Sequence, residues 1–227
     1  MIDTIYDDIP KRMAVYEWMD GKDLDENEKL EHFPIIGRMM AQMHLMSRSL
    51  SVPKAIQAKR MDKVLYYAGD DYFYRMDKHK THVTQDFINF MDRLIPYLDK
   101  KLIKLYDKET MLIHGDFNPY NLRLHKNEIR LLDFEDTSLA TTVHDVAIFL
   151  FYYRYEDKYK DYKEAFFRGY HEVSDEQFSE EDIELIMTAR RANFLNYILE
   201  IHDKPEDYIK RNRGRVEEYL NKYCPDF

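Results

Sequence analysis

Clustered glycine is what this 227-residue chain most plainly lacks: it has six glycines, and the closest two, Gly21 and Gly37, stand sixteen residues apart. A dinucleotide fingerprint, a Walker loop and a kinase-type glycine-rich loop each need several glycines within a few positions, so that backbone amides can close on phosphate. None of the three fits anywhere. Phosphate chemistry in this chain has to lean on a metal or on something outside it. Cys224 is the only cysteine, which excludes a disulfide framework and a cysteine zinc site and suits a reducing compartment. No apolar run reaches transmembrane length, and the polar start Met1-Ile-Asp-Thr lacks the charge-then-apolar order of a signal peptide. Basic residues are in deficit, 34 Lys and Arg against 43 Asp and Glu, for a formal charge of −9. That balance argues against a nucleic-acid or membrane-surface binder and reads most simply as solubility charge, with a mild bias toward cationic or metal-bearing partners. With 44% hydrophobic residues the chain can fill a sizeable core. The expectation is a soluble, cytoplasmic protein that contacts neither nucleic acid nor membrane.

Two β-like runs open the chain, around residues 2–6 and 12–18, with Asp7-Asp8-Ile9-Pro10 as the turn between them. Asp20-Gly21 breaks the pattern, and residues 23–28 carry helix-start chemistry. From Pro34 the apolar period is helical, with Ile36, Met40 and Met43 on one face and the methionines read as core packing. Residues 51–83 are weakly patterned and read as short helix plus loop. Gln85–Tyr106 is an amphipathic helix, or two helices joined at Pro96. Residues 111–133 switch to short apolar runs with polar breaks, the one convincing strand region beyond residue 20. The pattern is then helical over about 141–155, 158–172, 180–201 and 205–222, with Ser174-Asp-Glu-Gln177 read as a capping box. The expected fold class is α+β, mostly α: a helical body with a small β-hairpin insertion, preceded by a two-stranded β stub.

The informative stretch is residues 112–136. Runs 122–124 and 129–132 flank the polar turn 125–128 and predict a hairpin. If Leu124 closes the turn against Ile129, paired positions sum to 253, and Asp133 falls opposite Tyr120 and diagonal to Asn121. Side chains in that relation converge at roughly 5–8 Å. Carboxylate and amide oxygens at such a separation suit a hard Mg²⁺ ion that keeps several waters. Asp116, after Gly115 and before the Asn118-Pro119 turn, adds a third oxygen ligand or base near the same point. Singly, Asp116 and Asn118 read as turn formers and Asp133 as a strand end; together they read as a site.

His114-Gly115-Asp116, then Asn121 after four intervening residues, then Asp133-Phe134-Glu135, together resemble the catalytic and metal-binding loops of the aminoglycoside phosphotransferase/choline kinase family. Its members are small-molecule kinases with a protein-kinase-like fold. Val15-Tyr-Glu-Trp-Met-Asp-Gly21 is similar to that family's hinge, Ile36-Gly-Arg-Met-Met-Ala-Gln-Met-His44 to its first large-lobe helix, and Val143-His-Asp145-Val-Ala147 to the helix after its metal loop. The continuation Asp133-Phe-Glu-Asp136 is nearest the branch that holds homoserine kinases and bacterial stress-response kinases. The resemblance implies an ATP- and Mg-dependent phosphotransferase acting on a hydroxyl of a small molecule. It makes Asp116 the catalytic carboxylate and Asn121 and Asp133 the metal ligands. The backbone at Glu17 and Met19 would meet the adenine, Asp145 would brace the catalytic loop, and His114 would pack behind the metal loop. It also divides the chain into residues 1–20, small-lobe strands and hinge, and 21–227, a helical large lobe. The acceptor stays open among aminoglycosides, choline, homoserine and proteins.

The chain departs from that family in front. Beyond the absent glycine-rich loop, the nucleotide-gripping lysine should precede the hinge by many residues, yet sixteen residues precede Glu17 and Lys11 is the sole lysine among them. The bare strand edges of such a stub are expected to meet a second copy of the chain, in a homodimer, or a separately encoded partner lobe. Two other readings compete. One is a non-catalytic binding module derived from this family. The other is a His/Asp metal phosphohydrolase built on His144-Asp145 with some of His44, His114 and His171, although His144 reads more simply as an exposed helix residue. His79 and His82 read as a solvated loop, and Asp70, Asp71, Glu135 and Asp136 as surface carboxylates that could form an acidic rim for a cationic acceptor.

Overall fold

The computed structural model describes residues 2–6, 9–13, 17–50, 59–66, 71–107, 109–126 and 128–227. Strand β1 (Ile2–Tyr6) pairs antiparallel with β2 (Ile9–Met13), Ile2 opposite Met13 and Tyr6 opposite Ile9, in a sheet of two strands. The second strand thus begins at Ile9, where the sequence predicted a turn. Pro10, opposite Ile5, is tolerated because each strand of a two-stranded sheet has an open edge where a missing N–H costs no ladder bond. Asp7 and Asp8 lie outside the described residues.

The hairpin is formed by β5 (Leu122–His125) and β6 (Glu128–Leu131), with Leu122 opposite Leu131 and Leu124 opposite Ile129, the predicted register. A third strand, β3 (Lys22–Asp23), adds to its outer edge, Lys22 opposite Leu124. Here the helix start expected at 23–28 does not occur. Leu24 continues the pairing through its N–H to Leu122 O at 3.0 Å, and Asn27 Nδ2 closes a turn onto Asp23 O at 2.8 Å. Strand β4 (Met111–Ile113) pairs with β7 (Ser138–Ala140), whose three residues have too little pattern to be read as a strand.

Helix α1 (Phe33–Arg48) follows a 3₁₀ turn at Leu30–His32, and α2 (Gln85–Tyr106) is one continuous helix. Pro96 is accommodated because it faces solvent, where the freed carbonyl can meet water. Thr84 caps α2 by accepting from Phe87 N–H at 3.2 Å. Then come α3 (Thr142–Phe151), α4 (Tyr159–Tyr170), α5 (Glu180–Ile201) and α6 (Glu206–Tyr223). The cap of α5 is Ser179, which accepts from Asp182 N–H at 3.0 Å; Ser174 instead accepts from Glu176 N–H within the connecting turn. Both serines stand three residues before a polar partner, and the one adjoining the apolar run caps the helix. Between α1 and α2, the short helices are 3₁₀ turns at Phe73–Arg75 and Asp77–His79, and residues 51–58 lie outside the described residues.

The core joins Phe33, Ile36 and Met40 of α1 to Phe166 and Tyr170 of α4, Val146, Phe149 and Leu150 of α3, Leu94 and Leu98 of α2, and Ala192 and Leu195 of α5. Each fully buried Phe or Leu contributes about 2 kcal/mol. α1 and α4 touch backbone to backbone: a Cβ on Gly37 would lie 2.1 Å from Phe166 O, and one on Gly169 would lie 1.9 Å from Pro34 O. Among the described residues no helix is long and apolar enough to cross a membrane.

Candidate active site

After β4 the chain turns at Gly115, whose φ of +85° and whose missing Cβ, which would lie 2.2 Å from Asp136 O, admit only glycine. The turn aims two backbone N–H groups at one carboxylate: His114 N donates to Asp145 Oδ2 at 3.0 Å and Gly115 N to Oδ1 at 2.9 Å. Asp145 is fully buried on α3 and also pairs with His44 Nε2 of α1 at 3.2 Å, while His44 Nδ1 meets the Tyr170 hydroxyl of α4 at 2.9 Å. Burial pushes the Asp145 carboxyl up, but His44, His114 and the Gly115 N–H outweigh it and hold the group below the usual carboxylate range.

Beyond Gly115 the loop is tied by short-range bonds. Asn118 Oδ1 accepts from Tyr120 N–H at 2.9 Å and Asn121 N–H at 3.2 Å, capping the 3₁₀ turn Pro119–Asn121. Its Nδ2 donates to Asp116 Oδ2 at 2.8 Å, and Asn121 Nδ2 donates to Asp116 O at 2.9 Å. His114 donates from Nε2 to Leu132 O at 2.9 Å and accepts at Nδ1 from Asp116 N–H at 3.3 Å, a pattern that assigns its tautomer. Leu132 N–H in turn donates to Asn121 O at 2.9 Å. His114, Asp116, Asn121 and Asp145 are therefore joined in one network, and Asp133 is the residue after the point where that network meets the hairpin. Asp133 has φ of +61°, a conformation Asp tolerates better than most residues, and its carboxylate is exposed. Phe134 packs across the His114 ring at 4.8 Å between centroids.

Two oxygen groups are left over. Asn121 commits its Nδ2 to Asp116, and its Oδ1 receives no donor among the described residues; neither does the Asp133 carboxylate. An amide oxygen and an exposed carboxylate are hard donors of the kind that suits Mg²⁺. Among the described residues, by contrast, no three His, Cys, Asp or Glu side chains are arranged to hold a metal. His144 is not an exposed helix residue but a buried one, bonded through Nδ1 to the Tyr106 hydroxyl, and burial lowers its pKa to about 4. His171 bonds Glu176 O at 3.1 Å, and His79 and His82 pair separately with Glu200 and Glu206. Among the described residues the ligand set of a metal phosphohydrolase is not assembled. The acidic rim is thinner than the sequence suggests, since Asp136 is engaged by Lys59 at 2.9 Å and Asp70 lies outside the described residues.

Glu17 and Met19, which the resemblance places in a hinge, make no hydrogen bond to this network among the described residues. They flank Trp18, which is 77% exposed beneath the Arg123 guanidinium at 5.6 Å, and Arg123 also donates to Gly21 O at 2.8 Å. Segment 17–21 thus runs beside β5, which begins directly after Asn121.

Arg190 escaped the sequence reading. From the middle of α5 it donates Nη2 to Asp116 Oδ1 at 2.7 Å and Nη1 to the Tyr66 hydroxyl at 3.1 Å, and it lies over the Phe194 ring at 4.8 Å. Burial works against its charge, but Tyr66, Tyr152 and Asp116 together raise its pKa. The available signal was Ala189-Arg190-Arg191-Ala192, two arginines inside an otherwise apolar helical run.

A helical body carrying a hairpin, with a carboxylate fixed between β4 and that hairpin, is the frame of a kinase-like phosphotransferase fold. The sequence profile of the phosphotransferase enzyme family matches residues 2–181, and the chain belongs to that family. Among solved structures it is similar to an amicoumacin kinase in complex with AMP-PNP, Ca²⁺ and its antibiotic, at 19% identity and TM-score 0.68, covering 92% of this chain and 64% of that one. It is also similar to a microcompartment-associated aminopropanol kinase (18% identity, TM-score 0.70, 97% and 72% covered) and to the choline kinase of Cryptosporidium parvum Iowa II (17%, 0.58, 91% and 69%). The chain spans about two-thirds of the length of these structures. None of the curated proteins compared matches it.

Proposed function

We propose that the protein transfers the γ-phosphoryl group of ATP to a hydroxyl of a small molecule, with Asp116 as the catalytic carboxylate. The observation that carries this reading is the contrast at the loop: Asp116 is held at both oxygens, by Arg190 and Asn118, while Asn121 Oδ1 and the Asp133 carboxylate stay uncommitted among the described residues. A fixed carboxylate, with two hard oxygens of the same loop and hairpin left without donors, suits a reaction that consists of positioning and charge neutralisation. Asn121 and Asp133 would hold Mg²⁺, which supplies charge neutralisation at the nucleotide phosphates when bound. Asp116 Oδ1, with a single protein donor, keeps the capacity to accept the acceptor's O–H. As the acceptor oxygen bonds the γ-phosphorus and the bond to the β-phosphate oxygen breaks, the hydroxyl proton passes to Asp116 and ADP leaves. His114 and Asp145 act on the loop and not on the reactants. The backbone groups of Glu17 and Met19, free of backbone hydrogen bonds among the described residues, suit the adenine edge.

We read residues 1–20 as small-lobe strands and hinge and 21–227 as the large lobe. The β1–β2 sheet has two open edges, and two strands alone are marginal. A second copy pairing there would cover the open edges, and a separately encoded lobe would in addition supply the phosphate clamp that no glycine cluster in this chain provides. A monomer by light scattering, with the β1 and β2 amides protected from exchange, would overturn that part.

The test of the main reading is Mg²⁺-dependent ADP release by the full chain against a panel of amino alcohols, hydroxy acids and sugars. Turnover with at least one acceptor, cut 10²-fold or more by Asp116→Asn, is the expected result. The Arg190–Asp116 pair favours a second reading, a non-catalytic binding module in which the carboxylate is neutralised. Saturable acceptor binding without turnover would select it.

A further inference from the structure

Arg191, one residue beyond the arginine that holds Asp116, is 5% exposed. Among the described residues it makes one hydrogen bond, Nη1 to Asn212 Oδ1 at 2.8 Å, and lies over the rings of Phe151 at 4.7 Å and Tyr155 at 5.1 Å. Among the described residues no carboxylate pairs with it. Burial, with Arg215 nearby, lowers its pKa to about 10, so it stays charged at neutral pH. A buried charge with no carboxylate bonded to it is costly; Glu184 acts on it only at longer range, and two ring contacts offset only part of that cost.

Helix α6 brings two more cations to the same place. Tyr208, Arg211, Asn212 and Arg215 fall at positions i, i+3, i+4 and i+7 and share one face. Arg215 lies 3.6 Å from the centre of the Tyr155 ring, and Arg191, Arg211 and Arg215 all act on the Tyr208 hydroxyl, which burial raises against their pull. Neither Arg211 nor Arg215 has an ion pair among the described residues. The carboxylates nearby are engaged elsewhere: Glu184 takes the Arg154 guanidinium at 2.6 Å, and Glu218 accepts from the Tyr155 hydroxyl at 3.3 Å. Other arginines of the same two helices are neutralised, Arg190 by Asp116 and Arg213 by Asp86 and Glu217. In a chain of charge −9, three guanidinium groups with no carboxylate bonded to them among the described residues gather around one partly open pair of tyrosines.

We propose that Arg191, Arg211 and Arg215 form an oxyanion site that receives a carboxylate or phosphate group of the compound whose hydroxyl is phosphorylated. A planar fork in a low-dielectric floor, with further cations at the rim, is the arrangement that binds such groups bidentately. The site neighbours the Asp116 loop through Arg190 and Tyr152: Arg190 reaches that carboxylate from the same turn of α5, and the Tyr152 hydroxyl, 3.5 Å from Arg190, also acts on Tyr208. The proposal rests on the phosphotransferase reading of Asp116 and assigns the acceptor class: a hydroxy acid or a hydroxy phosphate.

The test uses the full chain, with inorganic phosphate and malonate as probes, titrated against chloride at constant ionic strength and followed by calorimetry and thermal shift. The expected result is saturable binding of phosphate, malonate or both, weakened tenfold or more in Arg215→Gln and in Arg191→Lys, and unchanged in Asp133→Ala. Phosphate alone would mark a phosphate-bearing acceptor and malonate alone a carboxylate-bearing one. Far-UV circular dichroism checks that each variant folds, and the half-exposed Arg215 carries the test if Arg191→Lys does not. Absence of saturable binding in the wild type, or binding retained by Arg215→Gln, overturns the proposal, whatever the protein does with Mg·ATP. Oxyanion binding that depends on Arg215, with no ADP release from any hydroxy acid or hydroxy phosphate, refutes the phosphotransferase reading and with it the acceptor assignment, leaving an oxyanion site alone.

Discussion

Arg190 Nη2 and Asp116 Oδ1 lie 2.7 Å apart across 74 residues of sequence, so the carboxylate at the centre of the loop is fixed by a helix that begins more than sixty residues later. Asn118 holds the other oxygen from within the loop. Replacing Arg190 by Gln frees one side of Asp116 and leaves a mostly buried carboxylate underpaired. The expected outcome is a fall in kcat of about 10- to 100-fold, with KM for Mg·ATP within twofold, and a loss of about 1–3 kcal/mol in urea denaturation. An equal rise in KM without loss of kcat would show that Arg190 only binds.

Asp133→Ala tests the proposed Mg²⁺ site separately from the proposed chemistry at Asp116. With Mg·ATP at about 100 times its dissociation constant, the wild type should gain about 2.7 kcal/mol, seen as a thermal shift that vanishes without Mg²⁺. Asp133→Ala should lose the shift, whereas Asp116→Asn should keep it and lose turnover. A shift of equal size in Asp133→Ala would remove that residue from the metal site.

Acid should weaken the fold in two stages. His144 has a pKa lowered by burial to about 4, so the unfolded chain takes up its proton first. Its contribution is fully present above the unfolded value of about 6.5 and is lost as pH falls toward 4, about 3 kcal/mol in all. Asp145, held below its ordinary value, contributes fully above about pH 3.9 and loses that contribution only as pH falls further, through its folded value. Urea melts at steps between pH 7 and 4 should show the first stage, and His144→Gln should flatten it.

At the α1–α4 crossing a single methyl group is too much. Gly37→Ala would drive its Cβ to 2.1 Å from Phe166 O, which neither backbone can relieve without moving the helix. The expected loss is about 1–3 kcal/mol by thermal or urea denaturation. Gly214→Ala is the control, since a Cβ there meets nothing within 4 Å, and it should be neutral or slightly stabilising.

Much of this arrangement is legible in the sequence, for identifiable reasons. The bounds of α2 are plain because its apolar period is long and unbroken, and the register of β5 and β6 is plain because a short polar turn between two apolar runs allows one pairing that buries both. β3 and β7 are not legible: two and three residues carry no period, and each is a strand only because a longer neighbour offers it an edge. Arg190 is the same kind of omission in the site. Asp116, Asn121 and Asp133 lie close in sequence, so their spacing says something, whereas an arginine 74 positions away is tied to them only by the packing of α5. His144 was misjudged because a titratable side chain is usually on the surface, and here the Tyr106 hydroxyl receives it inside.

Asp145 gathers His44 of α1, itself joined to Tyr170 of α4, and the amides of His114 and Gly115 around one buried carboxylate on α3. Opening α1 or the loop strips partners from a charge in an apolar interior, so the loop is expected to have no melting transition of its own. In a hydrogen-exchange experiment the His114 and Gly115 amides would then be among the last to take up deuterium, at the rate of global unfolding, and any movement that admits a substrate must come from parts of the chain that leave this knot tied.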